Sequence, residues 1–350
     1  MELYTKGSIT TKTVQSSISG AQSILQSTVS GINNQFETLV HMLPTNLSPQ
    51  IAAQIKSIRS TLQDSASLFD GLETEHQRVK YLKKSGLLIP TTYTIGQIPT
   101  TNTDQSKSLS DATAEYVSLI DTLMLYHKSQ TDNTPHRPHI IQSFKDTSSF
   151  TNSTYYQAHP TALRLILYHD DIEVGNALGS RAGVHKLTMF YVAVDDFNNG
   201  KLNNIHLSIV CHASDLNRFG YSPILKPLLN EMEQLYRGVS VTLDDGSEIV
   251  IHAVLQHLSA DNLAANQILG MNRSFSKGHY CRFCYAPAEE CYRMVCADCR
   301  KMRTSAEYLL DIERVEADSS HSKLTGVRSR SALCSLSYFS PIESTVPDIM

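Results

Sequence analysis

Two adjacent aspartates, Asp170 and Asp171, close a run of mostly apolar residues in LRLILYHDDIEVGNALGS, which spans Leu163 to Ser180. A carboxylate at the end of a buried strand is either ordinary turn chemistry or one ligand of a metal site. Asp261, in LSADNLAANQILG, is a third carboxylate of this kind, and its competing role is to cap a helix. A second cluster lies just downstream: five of the seven cysteines fall within nineteen residues, in CRFCYAPAEECYRMVCADC. Cys281-x-x-Cys284, eleven intervening residues and Cys296-x-x-Cys299 supply two chelating pairs. Two such pairs can close a tetrahedral thiolate site on a structural zinc ion, and Cys291 or His279 can replace one member. The first 210 residues hold no cysteine, so a disulfide framework does not fit; free, buried cysteines are the competing reading. From Arg273 to Arg303 there are seven Lys or Arg against three acids, a basic face suited to a DNA backbone or simply a solvated surface.

These side chains act together only if the fold joins them. LRLILYH, KLTMFYVAV and NIHLSIVCH read as strands, rich in branched apolar residues and joined by short polar turns, which predicts an antiparallel meander. SPILKPLLNEMEQLYRG predicts a helix with Ser222 as N-cap, a proline in its first turn and Gly238 as C-cap. VSVTLDDGSEIVIHAVLQHL predicts a short strand or hairpin and then a longer strand, with a helix beginning in ADNLAANQILG. A crossover helix that returns the fourth strand parallel to the first sets those two side by side. Asp170 and Asp171 then meet Asp261, about 90 positions away. Carboxylates so placed repel one another unless a cation lies between them. Oxygen ligands suit magnesium or manganese, which can activate a water or hydroxyl and stabilise the leaving oxygen in phosphodiester cleavage.

The expected fold class is therefore α+β: a ribonuclease H-like mixed sheet core, a helical N-terminal region and a small zinc-binding cysteine module. The expected organisation is a helical, coiled-coil-forming region over 1–86, a linker with a connecting helix over 87–160, and a partial core over 161–272. The cysteine module follows over 273–303, and an incomplete C-terminal segment begins at 304 and runs to 350. Ile18, Leu25, Val29, Ile32, Phe36, Leu39 and Leu43 recur at spacings of three and four, the seam of an amphipathic helix that Pro44 stops. Ser48-Pro49 starts a second helix with a stripe of Ile51, Ile55, Ile58 and Leu62. A third, around ETEHQRVKYLKKSG, ends with lysines and Gly86 as C-cap. Such helices either pack on themselves or self-associate between chains. AEYVSLIDTLMLYHK predicts one more helix.

Composition narrows the class. The chain has 350 residues, 41% hydrophobic and 18% charged, which suits a globular protein with a sizeable core. A net charge of −4 argues against a strongly basic nucleic-acid coat but leaves room for a local basic groove. No apolar run of eighteen residues exists, so no membrane span is expected, nor is a secretory leader at the N-terminus. Phosphate-loop, dinucleotide and nucleophile-elbow motifs are absent.

The order of LRLILYHDDIEVGNALGSRAGVHKLTMFYVAV, GYSPILKPLLNEMEQLYRGVSV, LSADNLAANQILG and SFSKGHYCRFC resembles that of CACTA (En/Spm-like) transposases and their transposon-derived animal relatives. The resemblance covers roughly residues 68–350, beginning at FDGLETEHQRVKYLKKSG. It implies that Asp170, with Asp171 the less favoured partner, and Asp261 are the first two acids of an Asp-Asp-Glu set, and that Cys281 and Cys284 are the family's Cys-x-x-Cys. DNA as partner, Mg or Mn at the acids, zinc at the cysteines and a nuclear location follow from the same resemblance. Relatives continue past VPDIM with a His and a Glu-bearing segment, and nothing marks Glu307, Glu313 or Glu316 as substitutes. The resemblance therefore implies a transposase fragment without its third acid and without turnover, or else a domesticated non-enzymatic DNA- or protein-binding protein.

Overall fold

A computed structural model describes residues 11–44, 46–67, 69–72, 74–84, 88–101, 107–129, 144–173, 186–194, 204–243, 246–294 and 301–346. The chain divides into two compact units, Met1–Ile89 and Pro90–Met350.

The first unit is helical. Helix α1 (Thr11–His41) ends just before Pro44, whose ring and missing N–H cannot continue it. Helix α2 (Pro49–Ala66) begins as expected, with the Ser48 hydroxyl accepting from the Ile51 amide. Glu37 and Arg59 join the two helices through a bidentate pair at 2.7 and 2.6 Å. Val29 and Ile55 are buried, whereas Ile24 and Leu39 remain 71% and 63% exposed. Helix α3 (Glu75–Lys84) follows, and its expected cap, Gly86, lies outside the described residues.

The second unit is a mixed α+β structure built on a six-stranded sheet. Strands β1 (Thr91–Thr101) and β2 (Lys107–Tyr116) pair as an antiparallel hairpin. Within the stretch 87–112, expected to be a linker, β1 and the start of β2 thus belong to the outer hairpin of the sheet; alternation buries Ile95, Ala112 and Ala114 while Thr92 and Thr94 are exposed. The helix expected from Ala114 starts instead at Leu119, as α4 (Leu119–Ser129), because Glu115 and Tyr116 are held by pairing with Val210 and Ile209. Two short helices, α5 (Ser148–Thr151) and α6 (Thr154–Ala158), lead into β3 (Leu163–Glu173). The meander is completed by β4 (Lys186–Val194) and β5 (Ile205–His212).

Helix α7 (Ala213–Phe219) and the long helix α8 (Tyr221–Arg237) meet at Gly220, whose φ of +75° favours glycine. Gly220, not the expected Ser222, is the N-cap of α8, and Gly238 closes its other end. Its buried stripe of Ile224, Leu225, Leu228, Met232 and Leu235 packs with Leu165, Leu167, Phe190, Val192 and Ile209 of the sheet. Each such side chain contributes roughly 1.5–3 kcal/mol on burial, which makes this helix the main cover of that face. A two-stranded ribbon, β6 (Val239–Thr242) with β7 (Glu248–Ile251), precedes β8 (Ala253–Ala260).

The sheet order is β1-β2-β5-β4-β3-β8, with β8 parallel to β3 and every other pair antiparallel. After β8 come α9 (Asn262–Ile268), α10 (Ala288–Cys291), α11 (Ser305–Ala317) and α12 (Ser322–Thr325). Residues beyond 304 complete the core: Tyr308, Ile312, Leu333, Phe339 and Ile342 join the cluster under α8.

Candidate functional site

The parallel β3–β8 junction assembles the acids. Ala260 pairs with His169, so Asp261 follows level with Asp170 although the two are about 90 residues apart in sequence. A strand alternates faces, and here Leu165, Leu167 and His169 are buried on the α8 side with Asp171 next in that row. Asp170 falls on the opposite face with Tyr168, and its carboxylate is exposed. Its Oδ2 accepts from the Tyr168 hydroxyl at 3.2 Å and its Oδ1 from the Asp171 amide at 2.8 Å. Asp171 is engaged more heavily: Thr188 donates to Oδ1 at 2.5 Å and the Lys186 ammonium lies 3.0 Å from Oδ2. The β3–β4 register explains this, since Asp171 faces Thr188 and Glu173 faces Lys186. Asp261 caps α9, its Oδ1 accepting from the Ala264 amide at 2.6 Å.

His169 lies beneath these carboxylates, a feature that sequence reasoning missed. Its ring is 3% exposed, stacked on Phe190 at 4.7 Å and edge-on to Tyr221 at 5.6 Å. Among the described residues neither ring nitrogen has a hydrogen-bond partner, and Nε2 stands 3.9 Å from Asp171 Oδ1. Burial holds its pKa below the ordinary 6.5 against the opposing pull of Asp171, Asp261 and Asp170. Burial and the adjacent Asp170 likewise push the Tyr168 phenol up. A buried imidazole, a lysine, a threonine and three carboxylates thus share one end of the β4-β3-β8 part of the sheet. In the sequence only the alternation of YHDD hinted that His169 points inward.

The cysteine segment is anchored from three directions. Asn266, fully buried, donates to the carbonyls of Asn272 and Tyr280, both at 2.8 Å. Cys284 bridges to Met302 in antiparallel fashion, with the Tyr285 amide on the Lys301 carbonyl at 2.8 Å and the Arg303 amide on Phe283 at 2.9 Å. Gly326, at φ +77°, lets the His279 carbonyl pass where a Cβ would stand 1.8 Å away. Cys281 and Cys291 both lie close enough to Cys284 to disfavour ionisation of its thiol. Burial pushes the Cys284 thiol up to about 12, so ionisation there requires a compensating cation. His279 is committed through Nδ1 to the Tyr285 carbonyl at 2.9 Å. The other expected pair, Cys296 and Cys299, lies outside the described residues. Among the described residues, no three His, Cys, Asp or Glu side chains form a ready metal cage.

No helix among the described residues is long and apolar enough to cross a membrane. No protein-family model matches the chain, and no curated protein matches it.

Proposed function

We propose that the second unit is a ribonuclease H-like core of a transposase-derived, DNA-directed protein of the CACTA type, in which Asp170 and Asp261 form a two-aspartate site for magnesium or manganese. The observation that carries this reading is the parallel β3–β8 pairing, which brings acids about 90 residues apart to one strand edge. Asp170 fits a hard cation best, since among the described residues its exposed carboxylate accepts only from a tyrosine hydroxyl and its neighbour's amide. Asp261 keeps one oxygen beyond the bond that caps α9. When bound, a divalent ion supplies Lewis-acid stabilisation at a phosphodiester. In this reading Asp170 and Asp261 are two acids of a three-acid set. Cys281 and Cys284, with the pair Cys296 and Cys299, hold a structural zinc ion beside it, and the N-terminal helices serve self-association. A nuclear location belongs to the same reading.

Manganese titration, followed by the paramagnetic resonance of the free ion, tests the site. Binding is expected in the wild type, lost in Asp170→Asn and Asp261→Asn and retained in Asp171→Asn; identical binding by all four proteins would overturn the assignment. Purification without chelator and metal analysis should return one zinc per chain, and its absence removes the zinc module.

One observation favours a second reading. The Lys186 ammonium already stands against Asp171, the place a cation would take, as in a non-enzymatic DNA- or protein-binding protein. Duplex binding with no manganese binding would select it.

A further inference from the structure

A cavity of about 390 Å³ opens between the α7–α8 joint and the segment from Arg328 to Arg330. Arg273, Arg328 and Arg330 line it together with Tyr221, Ser222 and Ser329, and among the described residues no acidic side chain does. Arg330 is neutralised by a bidentate pair with Glu316 at 3.0 and 3.1 Å. Arg273 and Arg328 have no ion-pair partner among the described residues, so two uncompensated guanidinium groups face one space. The start of the 17-residue helix α8 forms another wall. Its cap, Gly220, offers no side-chain acceptor, so the first amides of the helix add positive potential to the same cavity.

The arginine wall is fixed by backbone. The amides of Arg328 and Ser329 both donate to the Gly270 carbonyl, at 2.7 and 3.2 Å. Gly270 adopts φ +63°, and a Cβ there would stand 2.0 Å from the Ser329 carbonyl oxygen. Only glycine admits that approach, which brings Arg328 alongside Arg273 although 55 positions separate them in sequence. Tyr221 divides this cavity from the carboxylate edge: its hydroxyl reaches Gln267 at 3.5 Å, while its ring lies against His169.

We infer that this cavity is a phosphate-binding pocket, recognising through Arg273, Arg328 and the start of α8 a phosphate group carried on a nucleic-acid strand. Planar guanidinium groups match phosphate oxygens, and paired arginines with a helix start form a common oxyanion cradle. The volume suits a nucleotide-sized group rather than a bare ion. The pocket stands independently of the metal reading and requires no divalent ion.

Fluorescence anisotropy with end-labelled duplex and single-stranded 20-mers, in EDTA, tests it on the full chain, with pyrophosphate as competitor. The double variant Arg273→Ala/Arg328→Ala should bind at least tenfold more weakly. It should also lower the log–log salt slope by roughly 2 between about 50 and 200 mM salt. Arg237→Ala, which removes an exposed arginine remote from the cavity, is the control and should bind as wild type does; circular dichroism verifies that each variant is folded. An unchanged slope in a folded double variant overturns the pocket. Pyrophosphate binding that depends on the two arginines, with neither oligonucleotide bound, overturns the nucleic-acid source and leaves a free phosphate compound as the ligand. Because EDTA is present, failure of the two-aspartate metal site leaves this result unaffected.

Discussion

Arg303→Met tests whether packing, rather than a bound ion alone, positions the cysteine segment. The Arg303 side chain is fully buried, its Nε donating to the carbonyls of Cys281 at 3.0 Å and Cys284 at 3.2 Å. Nη2 reaches the Thr325 carbonyl, the guanidinium lies 4.0 Å from the Tyr285 ring centroid, and Nη1 is 3.8 Å from the buried Asp311 carboxylate. Methionine keeps the apolar stem but strips three carbonyls of a charged donor and Asp311 of its buried counter-charge. Removing one member of a buried pair costs about 3–5 kcal/mol. Asp311 retains the Tyr285 hydroxyl at 2.8 Å and Arg314 at 3.3 Å, which places the expected loss near 4 kcal/mol rather than higher. Lysine at 303 restores charge without the planar fork and should recover less than half of it. The chain has no tryptophan, so urea unfolding is best followed by far-ultraviolet circular dichroism, with zinc and with chelator. A loss under about 1 kcal/mol, or a lysine variant as stable as wild type, would refute the reasoning.

Three further outcomes are expected. Leu228→Ala, at a fully buried position of α8, should cost about 2–5 kcal/mol in the same unfolding experiment, and a smaller loss would mean that the helix does not seal the sheet. Gly270→Ala should destabilise the chain and weaken duplex binding together, because the Ser329 backbone must move; unchanged oligonucleotide affinity would sever the glycine from the pocket. Burial lowers the pKa values of His206 and His257, so below their ordinary value of 6.5 the unfolded chain takes up protons that the folded chain refuses. Stability should therefore fall from about pH 7.5 to about pH 5.5, and a melting temperature flat across that window would contradict the burial of these rings.

The meander, α8 and β8 were legible because their apolar residues follow one period and carry clear stops: strands near 163, 186 and 205, and Gly238 after the helix. The outer hairpin was not. TTYTIGQIPTT combines a buried Ile95 with exposed Thr92 and Thr94, Gly96 and Pro99, a composition equally suited to a linker until β2 supplies a partner and β5 ties the hairpin to the sheet. Asp261 was legible twice over: the sequence offered both a helix cap and a place beside Asp170, and the cap bond and the β3–β8 register show that the two are compatible. His169 and the Arg273–Arg328 pair stayed hidden, since their significance lies in contacts across the sheet or across Gly270. The second cysteine pair is a pattern in the sequence whose geometry lies outside the described residues.

The parallel partnership of β3 and β8 also sets an order of events during folding. The β3–β4 hairpin closes a short loop from Glu173 to Lys186, whereas Leu163 must find Ala253 across 90 residues. Loop-closure entropy alone makes the longer closure costlier by about 1.8 kcal/mol. The meander can therefore form while the chain is still emerging, and the acidic edge arises only after residue 260 has been made and α8 has docked. A chain released before that point would expose the apolar margin of β3 with no acid pair to show for it. The carboxylate edge thus forms after the meander, and its appearance reports that β8 has paired with β3.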